Sequence, residues 1–566
     1  MKCEAFTNTI KKTDMGVSKR YLSTAKNYIF PDSLLKSFIG ASLPDSSYIG
    51  SYIGAAVSGL ALFFAVLHTV FLLSWVALVP LFFVLEQASP RLASQTGSWT
   101  GLVLAVCTFS WMIPGAETFT GAPVIYGIAI FLLCTIIFSA GWAVLCRVFV
   151  WLRNRHRSFR LWGRHRSFLP EALLAAALWT LAEAGLQGAA QAMPWFLFHM
   201  GNALSANLYA IQPVSWIGVG GAGFVVVFVN YCLAQALIHR SWKRSLWPIF
   251  TIAAYMLLGW GLLAAFEKSQ PSARAFTLSL IAENIPPEVR WDETNGNRLV
   301  KQLLDLERQS VATRPDMIGW SESAIPWTYR PDDDLVRELL RVSDPAKITH
   351  LIGINTESTA NEIYNSAYCL LPGGAVSGRY DKKVPLLLIE QSWNGWSIPF
   401  FSAEGYTVRP GEAGLPLATP YGNAGILICN ESALPAEAAD RVRRGARFLF
   451  NMSNDGWFRD TYLVSQHFYN ARLRAVETRK DIAINSNNGW SGLVRASGRI
   501  VEARRSEISF ISTLSIRPND LQPLAVTHPG LPVECSLLIV LLFVLPSVTR
   551  LQTFFRHRLP NYKPVK

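Results

Sequence analysis

Hydrophobic and polar residues are segregated over long distances along this chain. Residues 1–51 are mainly polar, and apolar segments of membrane-spanning length follow before a long polar block at 268–530. These segments cover residues 52–86, 98–114, 122–152, 170–188, 211–237 and 246–267. A further apolar segment, 538–548 with its flanks, lies near the C-terminus. The pattern predicts about eight helices if residues 52–86 turn near His68, or about seven if they form one tilted helix, and we favour the hairpin.

The polar block is predicted to be a folded α/β domain. Apolar extended runs at 275–281, 317–320 and 349–354 alternate with a helical stretch at 297–308. Residues 368–380 predict a β-hairpin, because Pro-Gly-Gly lies between two strand-like runs. Strands with interspersed helices favour a layered α/β domain over a β-sandwich.

Composition supports a membrane protein. Of the 566 residues, 51% are hydrophobic and only 16% are charged, which is low for a soluble chain. The net charge of +13 is compatible with nucleic-acid binding, but the basic residues flank the apolar segments. Because no basic helix or RNA-type aromatic motif accompanies them, we expect no nucleic-acid partner.

The basic clusters orient the chain in the membrane. They lie at 153–166, at 239–244 and in the C-terminal tail, whose cations are Arg550, Arg556, Arg558, Lys563 and Lys566. The positive-inside rule puts all three in the cytoplasm, and eight spans then put the polar block outside. We therefore expect a cytoplasmic tail (1–51), a membrane bundle (52–267), an outer domain (268–530), a last transmembrane helix (531–550) and a basic cytoplasmic tail (551–566).

Three chemically useful residues follow three of the predicted strands. Glu322 follows the run at 317–320, Lys382 follows the hairpin, and Cys429 ends a run at 425–428. We expect them to meet at one edge of a sheet, as strand ends do in α/β enzymes. Cys429 also lies at a predicted helix start, where amide dipoles favour the thiolate. A carboxylate base, an ammonium and a thiol together suit nucleophilic catalysis without a metal.

Each of these residues has a structural alternative. A lone Glu or Lys after a strand is usually a solvated loop charge, and a lone Cys is usually a small hydrophobic residue. A disulfide between Cys369 and Cys429 is the alternative in an oxidising compartment, but it would remove the nucleophile, so we expect a free thiol. The histidines of the block, His350, His467 and His528, lack metal-ligand spacing, so we expect no metal and no cofactor.

Seven short motifs follow one another in the polar block. They are 284–291 (NIPPEVRW), 320–326 (WSESAIP), 380–382 (YDK), 428–431 (ICNE), 451–458 (NMSNDGWF), 466–478 and 485–489 (NSNNG). These motifs resemble those of the nitrilase (carbon–nitrogen hydrolase) superfamily, and within it those of the apolipoprotein N-acyltransferase family. The order of the motifs, the apolar segments before them and the single one after them all match over roughly residues 52–550.

The resemblance implies a fold and a reaction. It implies a multi-span α-helical membrane bundle of about eight helices that carries an extracytoplasmic α/β nitrilase-like αββα sandwich domain. Cys429 would take an sn-1 acyl chain from a phospholipid donor as a thioester, with Glu322 as base and Lys382 as oxyanion partner. The acceptor would be the α-amine of a diacylglyceryl apolipoprotein. A multi-pass protein of the bacterial inner membrane is implied, with its catalytic domain on the periplasmic side, and we expect a monomer.

The chain departs from the family pattern beside the nucleophile and after the lysine. Asn430 stands where the family has Tyr, and residues 384–389 do not match, although Glu390 aligns with a second functional glutamate. Glu431 fits the family's glutamate after the nucleophile. Its structural alternative is a buried acid that Lys382 orients. The resemblance makes Trp291 a substrate-binding candidate.

The remaining candidates lie in the second half of the block. Trp457 and Phe458 are candidates for an acyl groove, with core packing as the alternative. Arg472, Arg474 and Glu477 have helical spacing, which favours a salt-bridged helix over catalysis.

Three other functions fit parts of the pattern. A membrane-anchored nitrilase-type amidase would use the same three residues on a small amide, but would need a smaller anchor. A non-catalytic homologue that only binds lipoproteins would not need all three. A transporter would carry more charge within its spans, where Glu183 is the main exception.

Overall fold

The computed structural model describes residues 47–159, 167–269, 274–359, 361–394, 407–412, 414–458 and 460–558, and the side chains within them except those of 47–48, 118–120, 158–159, 457 and 545–558. The predicted N-terminal tail thus lies largely outside the described residues, as do Lys563 and Lys566. Residues 47–54, the described part of the N-terminal unit, are the start of a helix.

Helices occupy every segment predicted to be apolar and helical. In chain order they are α1 (Ser47–Leu62, continued by a π-helical turn at Phe63–Leu67), α2 (Phe71–Ser74), α3 (Val79–Leu85), α4 (Pro90–Phe109), α5 (Met112–Thr120), α6 (Val124–Phe159), α7 (Leu169–Ala190), α8 (Val214–Ile238) and α9 (Trp242–Lys268). The last helix among the described residues, α15 (Leu531–Arg558), is longer than the predicted segment at 538–548.

Five of the described helices are long and apolar enough to cross a membrane, and they are Ile49–Leu67, Val124–Arg157, Leu169–Ala190, Val214–Ile238 and Trp242–Lys268. Two shorter apolar helical segments are Phe71–Leu85 and Leu531–Val544. The helical conformation ends at His68, where the hairpin prediction requires a turn, and the next residue, Thr69, has a positive φ of 53°.

The sequence suggested that the basic segment at 153–166 is a loop, but its first part is helical. Helix α6 continues to Phe159, and Arg153 is buried within the bundle. Its guanidinium donates to the carbonyl of Leu85 at 2.8 Å and lies 3.7 Å from Glu86. A buried cation needs such partners, so this arginine joins two helices instead of meeting water. Residues 160–166 lie outside the described part of the chain.

The second half of the chain builds two β-sheets. The first has the order β14-β1-β2-β4-β5-β8, with β3 and β6 also paired to β4 and β7 paired to β6, and the second has the order β13-β12-β11-β10-β9. The strands are β1 (Phe276–Ala282), β2 (Met317–Gly319), β3 (Ile325–Thr328), β4 (Thr349–Thr359), β5 (Glu362–Tyr364), β6 (Ser366–Leu370), β7 (Val376–Asp381), β8 (Thr407–Val408), β9 (Ala424–Ile428), β10 (Phe448–Asn454), β11 (Ile482–Asn487), β12 (Trp490–Val494), β13 (Ile500–Arg505) and β14 (Phe510–Ile516).

Helices cover the outer faces of both sheets. Helices α10 (Gly296–Ala312) and α11 (Asp334–Ser343) pack on the first sheet, while α12 (Pro435–Arg443) and α13 (Tyr462–Thr478) pack on the second, and a short α14 (Leu524–Thr527) follows β14. Leu299, Leu303 and Leu306 show why α10 packs there, since their spacing gives it one apolar face. A third apolar cluster lies between the sheets. The predicted layered α/β domain is therefore an αββα sandwich.

Candidate active site

Cys429 lies at a sharp turn between β9 and a short 3₁₀ helix, Cys429–Ala433. Its φ of +52° is a left-handed conformation that costs a non-glycine residue about 1–3 kcal/mol. The turn is held because Glu431 Oε2 accepts a hydrogen bond from the amide of Ile428 at 2.8 Å. The strand end and this brace together fix the thiol, which is buried.

The thiol is not activated by its position alone, which corrects the prediction from the helix start. Burial raises the pKa of Cys429 well above its usual value, Glu322 raises it further, and Lys382 opposes both. Burial disfavours the charged thiolate relative to the neutral thiol. The resting nucleophile is therefore a thiol, and a base is needed to deprotonate it.

Glu322 lies in a tight loop after β2. The next residue, Ser323, has a φ of +48°, and Gly353 of β4 packs so closely that a Cβ there would lie 2.3 Å from the carbonyl oxygen of Ser321. The carboxylate accepts hydrogen bonds from Asn365 Nδ2 and from the amide of Asn454, both at 2.9 Å. These contacts fix both oxygens of the carboxylate.

Lys382 joins Glu322 to a second carboxylate. Its Nζ lies 3.2 Å from Glu322 Oε1 and 2.9 Å from Glu390 Oε1, and it is buried. Burial alone would lower the pKa of Lys382, but the two carboxylates raise it overall. Burial also raises the pKa of Glu322, Lys382 opposes this, and the negative charge of Glu390 adds to it. The lysine is thus a fixed ammonium between two acids.

The three residues come from two sheets, so the expectation of a single sheet edge is wrong. Glu322 and Lys382 follow β2 and β7 of the first sheet, whereas Cys429 follows β9 of the second. The sheets face each other, and their strand ends open into one cavity of about 1770 Å³. All three side chains line this cavity.

The cavity is also bounded by the helical bundle. Side chains from α5 and the residue before it, from α6 and α7, and from the segment after α7 form an apolar wall. They include Trp111, Met112, Ile130, Leu133, Ile137, Leu186 and Trp195. The segment after Lys382 forms another apolar wall through Leu386, Leu387, Leu388 and Ile389. It is tied to the bundle, since the amide of Leu387 donates to the carbonyl of Ala192 at 2.9 Å. A polar reaction centre therefore opens into a large apolar space.

Two family models match consecutive parts of the chain. The model of the apolipoprotein N-acyltransferase N-terminal domain matches residues 58–232, and that of carbon-nitrogen hydrolase matches residues 282–525. The apolipoprotein N-acyltransferase of Geobacter metallireducens is 25% identical over 443 residues, which are 76% of this chain and 82% of that protein. The one from Methylococcus capsulatus is 26% identical over 442 residues, covering 75% and 82%. The chain belongs to the apolipoprotein N-acyltransferase family.

A solved structure of Saccharomyces cerevisiae Nit3, a member of branch 10 of the nitrilase superfamily, is 17% identical and aligns with a TM-score of 0.35, over 46% of this chain and 97% of that one. The assignment to the apolipoprotein N-acyltransferase family rests on the two sequence models and the relatives, not on this overlap.

The two residues that follow the nucleophile are both buried and hydrogen-bonded. Asn430 is buried, its Nδ2 donates to the carbonyl of Val384 at 3.0 Å, and it lines the cavity. The structural alternative for Glu431, in which Lys382 orients it, is wrong. Its oxygens accept from the hydroxyl of Tyr380 at 2.7 and 2.9 Å and from the amide of Lys383 at 2.8 Å. Glu431 therefore braces the turn of the nucleophile against the loop of the lysine.

The candidate substrate-binding aromatics lie at the cavity where they are described. Trp291 lines it and packs edge-to-face on Trp327, with ring centroids 5.2 Å apart. Phe458 lines it beside His467, also at 5.2 Å. The side chain of Trp457 lies outside the described part of the chain.

Of the other predictions about side-chain pairing, two are confirmed and one is wrong. Cys369 and Cys429 are both free thiols, so the disulfide alternative is wrong. Arg474 pairs with Glu477 at 2.8 Å, as the helical spacing predicted. Arg472 does not join them, because it donates to the carbonyl of Ser205 in the bundle at 2.7 Å.

Sequence reasoning missed Asn365. Its side-chain Nδ2 donates to Glu322 at 2.9 Å and to Glu390 at 3.5 Å, while its backbone carbonyl accepts from the amide of Lys382 at 2.8 Å. It is thus a positioning residue for both acids and the lysine. In the structure it directly precedes β6, but it lies three residues before the predicted hairpin at 368–380, so the sequence gives no local signal for it.

Proposed function

We propose that this protein N-acylates the N-terminal S-diacylglyceryl cysteine of apolipoproteins, with a phospholipid sn-1 chain as donor and a thioester on Cys429 as intermediate. The observation that carries the proposal is the single cavity of about 1770 Å³ that joins Cys429, Glu322 and Lys382 to the apolar wall of the bundle. Membership of the apolipoprotein N-acyltransferase family supports the same reaction.

The cavity suits a lipid donor for a physical reason. Each methylene of an acyl chain that is exposed to water costs about 0.8 kcal/mol. An apolar wall continuous with the thiol lets the ester carbonyl reach Cys429 while its chain stays out of water. A small-amide hydrolase has no use for such a wall, and the family matches do not favour that alternative.

The geometry supports a two-step mechanism. Glu322 takes the proton of the Cys429 thiol, and the sulfur attacks the ester carbonyl of the donor. The ammonium of Lys382 and the backbone amide of Asn430 stabilise the oxyanion. The C–O bond then breaks, and Glu322 returns the proton to the leaving glycerol oxygen, giving a lysophospholipid and the thioester.

The second step transfers the chain to the acceptor. The free α-amine of the diacylglyceryl cysteine attacks the thioester carbonyl, and Glu322 takes a proton from the attacking nitrogen. The C–S bond then breaks, and Glu322 returns that proton to the sulfur, which regenerates the thiol. Glu390 and Asn365 keep Lys382 and Glu322 aligned through both steps, and Glu431 holds the turn of Cys429. Trp291 and Phe458 contact the lipids that enter the cavity.

The location follows from the charge pattern. We infer a multi-pass protein of the bacterial cytoplasmic membrane, with the domain at 268–530 on the periplasmic side, because the basic clusters at 239–244 and in the C-terminal tail belong in the cytoplasm. We expect a monomer, as the resemblance to the family implies. Its partners are lipids and lipoproteins, and no nucleic acid is involved.

One experiment tests the proposal directly. The purified protein is incubated with a phospholipid that carries a labelled sn-1 chain, and label that hydroxylamine releases is sought on Cys429. We expect label on the parental protein, none on Cys429→Ala, and transfer to a synthetic diacylglyceryl lipopeptide. Absence of label, or label that persists in Cys429→Ala, contradicts the mechanism. Label that no lipopeptide accepts contradicts the choice of acceptor.

A further inference from the structure

Helix α7 carries a buried acid that the proposed mechanism does not use. Glu183 lies within this apolar helix, and one of its oxygens, Oε1, accepts from the amide of Met200 at 2.7 Å and from Trp179 Nε1 at 2.5 Å. The other oxygen, Oε2, has no hydrogen bond within the described part of the chain. An ionisable group at such a depth is costly, so its surroundings call for a functional explanation.

The free oxygen of Glu183 faces a buried histidine. His199 Nδ1 lies 3.5 Å from Glu183 Oε2, and neither ring nitrogen of His199 has a hydrogen bond among the described residues. Two unsatisfied ring nitrogens beside an unsatisfied carboxylate oxygen are the arrangement that bound water completes.

His199 stands between two cavities. It lines the large cavity that contains Cys429, and it also lines a small one of about 130 Å³. Among the described residues it alone lines both. At about 30 Å³ per water, the small cavity has room for a few water molecules. A titratable side chain therefore connects the reaction space to a second, smaller space that Glu183, Glu477 and His528 also line.

The far wall of the small cavity supplies further charges. Glu477 of α13 accepts from the amide of Val219 at 2.6 Å, where Gly218 (φ 61°, ψ 175°) interrupts α8, and it pairs with Arg474 at 2.8 Å. His528, which is exposed, lines the same cavity. The titratable and charged groups around His199 are thus Glu183 from α7, Glu477 and Arg474 from α13, and His528 after α14.

The second step of the proposed reaction produces a proton that needs a path. An α-amine has a pKa of about 7.7–8.0, so at neutral pH the acceptor arrives mostly as an ammonium. Ammonium plus thioester gives amide, thiol and one free proton. The first step releases none, because the thiol proton leaves on the glycerol oxygen. Only the second step therefore has to export a proton from a buried site.

We propose that His199 is a proton relay, which passes the proton of the acceptor ammonium from the catalytic cavity through the small cavity beside Glu183 and Glu477 to solvent near His528. This inference rests on the proposed function. It assigns His199 to the acceptor step alone and gives Glu183 a role as its carboxylate partner.

The test separates the two steps. The full-length protein is loaded with a labelled sn-1 chain, excess donor is removed, and transfer to a synthetic diacylglyceryl lipopeptide is timed at about pH 6.5 and about pH 9.5. We expect His199→Gln to form the acyl-enzyme normally but to transfer at least about tenfold more slowly at the lower pH. At the higher pH the acceptor is a free amine, so the rates of variant and parent should converge. His239→Gln, an exposed histidine at the end of α8, is the matched control and should not change either rate.

The outcomes discriminate because only labelled chains are counted, so a misfolded fraction does not affect the rate. Transfer at the parental rate at pH 6.5 overturns the relay. Equal slowing at both pH values also overturns it, since that result indicates a packing role for His199. If the parental protein forms no acyl-enzyme, the proposed function itself fails, and the relay fails with it.

Discussion

Glu322→Gln removes the proposed base and leaves most of the surrounding contacts in place. Glutamine has the same size and keeps one acceptor oxygen. Lys382 stays paired with Glu390, whose carboxylate lies 2.9 Å from Nζ. The variant therefore removes one charge without leaving the buried lysine uncompensated, and any loss of rate reports on the base itself.

The expected loss can be divided between rate and stability. A positioned general base contributes about 10²–10⁴-fold, which corresponds to roughly 3–5 kcal/mol of transition-state free energy. The amide cannot accept from Asn365 on one side and from the Asn454 amide on the other, so one donor is left unpaired at a cost of about 1–3 kcal/mol. We expect acyl-enzyme formation to slow at least about a hundredfold, while the melting temperature falls by only about 2–12 °C.

The assay is single-turnover formation of the hydroxylamine-labile label from a labelled phospholipid in detergent. Glu307→Gln is the matched control, because Glu307 is a fully buried glutamate of α10 that does not line the cavity. We expect it to acylate at the parental rate. A Glu322→Gln rate within about threefold of the parental rate would refute the assignment of the base.

Three further variants test the supports of the site. Glu390→Gln should shift the fall of the acylation rate on the acidic side to lower pH, because the charge of Glu390 helps to raise the pKa of Glu322. The rate is measured from about pH 5 to 8, and a fall at the parental pH would contradict this prediction. Gly353→Ala should slow acylation about a hundredfold, because its Cβ would lie 2.3 Å from the carbonyl before Glu322, and parental rates would show that this loop tolerates displacement. Glu431→Ala should lower the melting temperature by about 10 °C, since it removes a buried carboxylate 3.8 Å from Arg441; an unchanged value would mean that this brace is dispensable.

Much of the fold can be predicted from the sequence because the main signals are local. Apolar length predicts the membrane helices, and the ends of apolar runs predict where Glu322, Lys382 and Cys429 follow strands. The hairpin before Lys382 is also local, since Gly373 and Gly374 both adopt a positive φ. These features depend on neighbouring residues alone, so they can be read without knowing how distant segments pair.

The features that were wrong or missed depend on distant pairing. Which sheet a strand joins is not encoded in its own residues, so the separation of Cys429 from the other two could not be predicted. The raised pKa of its thiol follows from burial between the sheets, which overrides the local helix-start signal. Asn365 and the partners of Glu431 are likewise set by loops that meet only in the folded domain.

The attachment of the domain to the bundle follows from the same distant contacts, and it bears on how lipids react here. One wall of the cavity belongs to the bundle, so the reaction space exists only while the two parts stay in register. Arg472 holds them by donating to the carbonyls of Ser205 and Ala206, at 2.7 and 3.1 Å. Asn202 Nδ2 donates to Asn470 Oδ1 at 3.2 Å at the same junction. Because these bonds join polar groups that are buried or largely so, breaking one leaves an unsatisfied partner, and the junction therefore keeps the thiol beside the apolar wall.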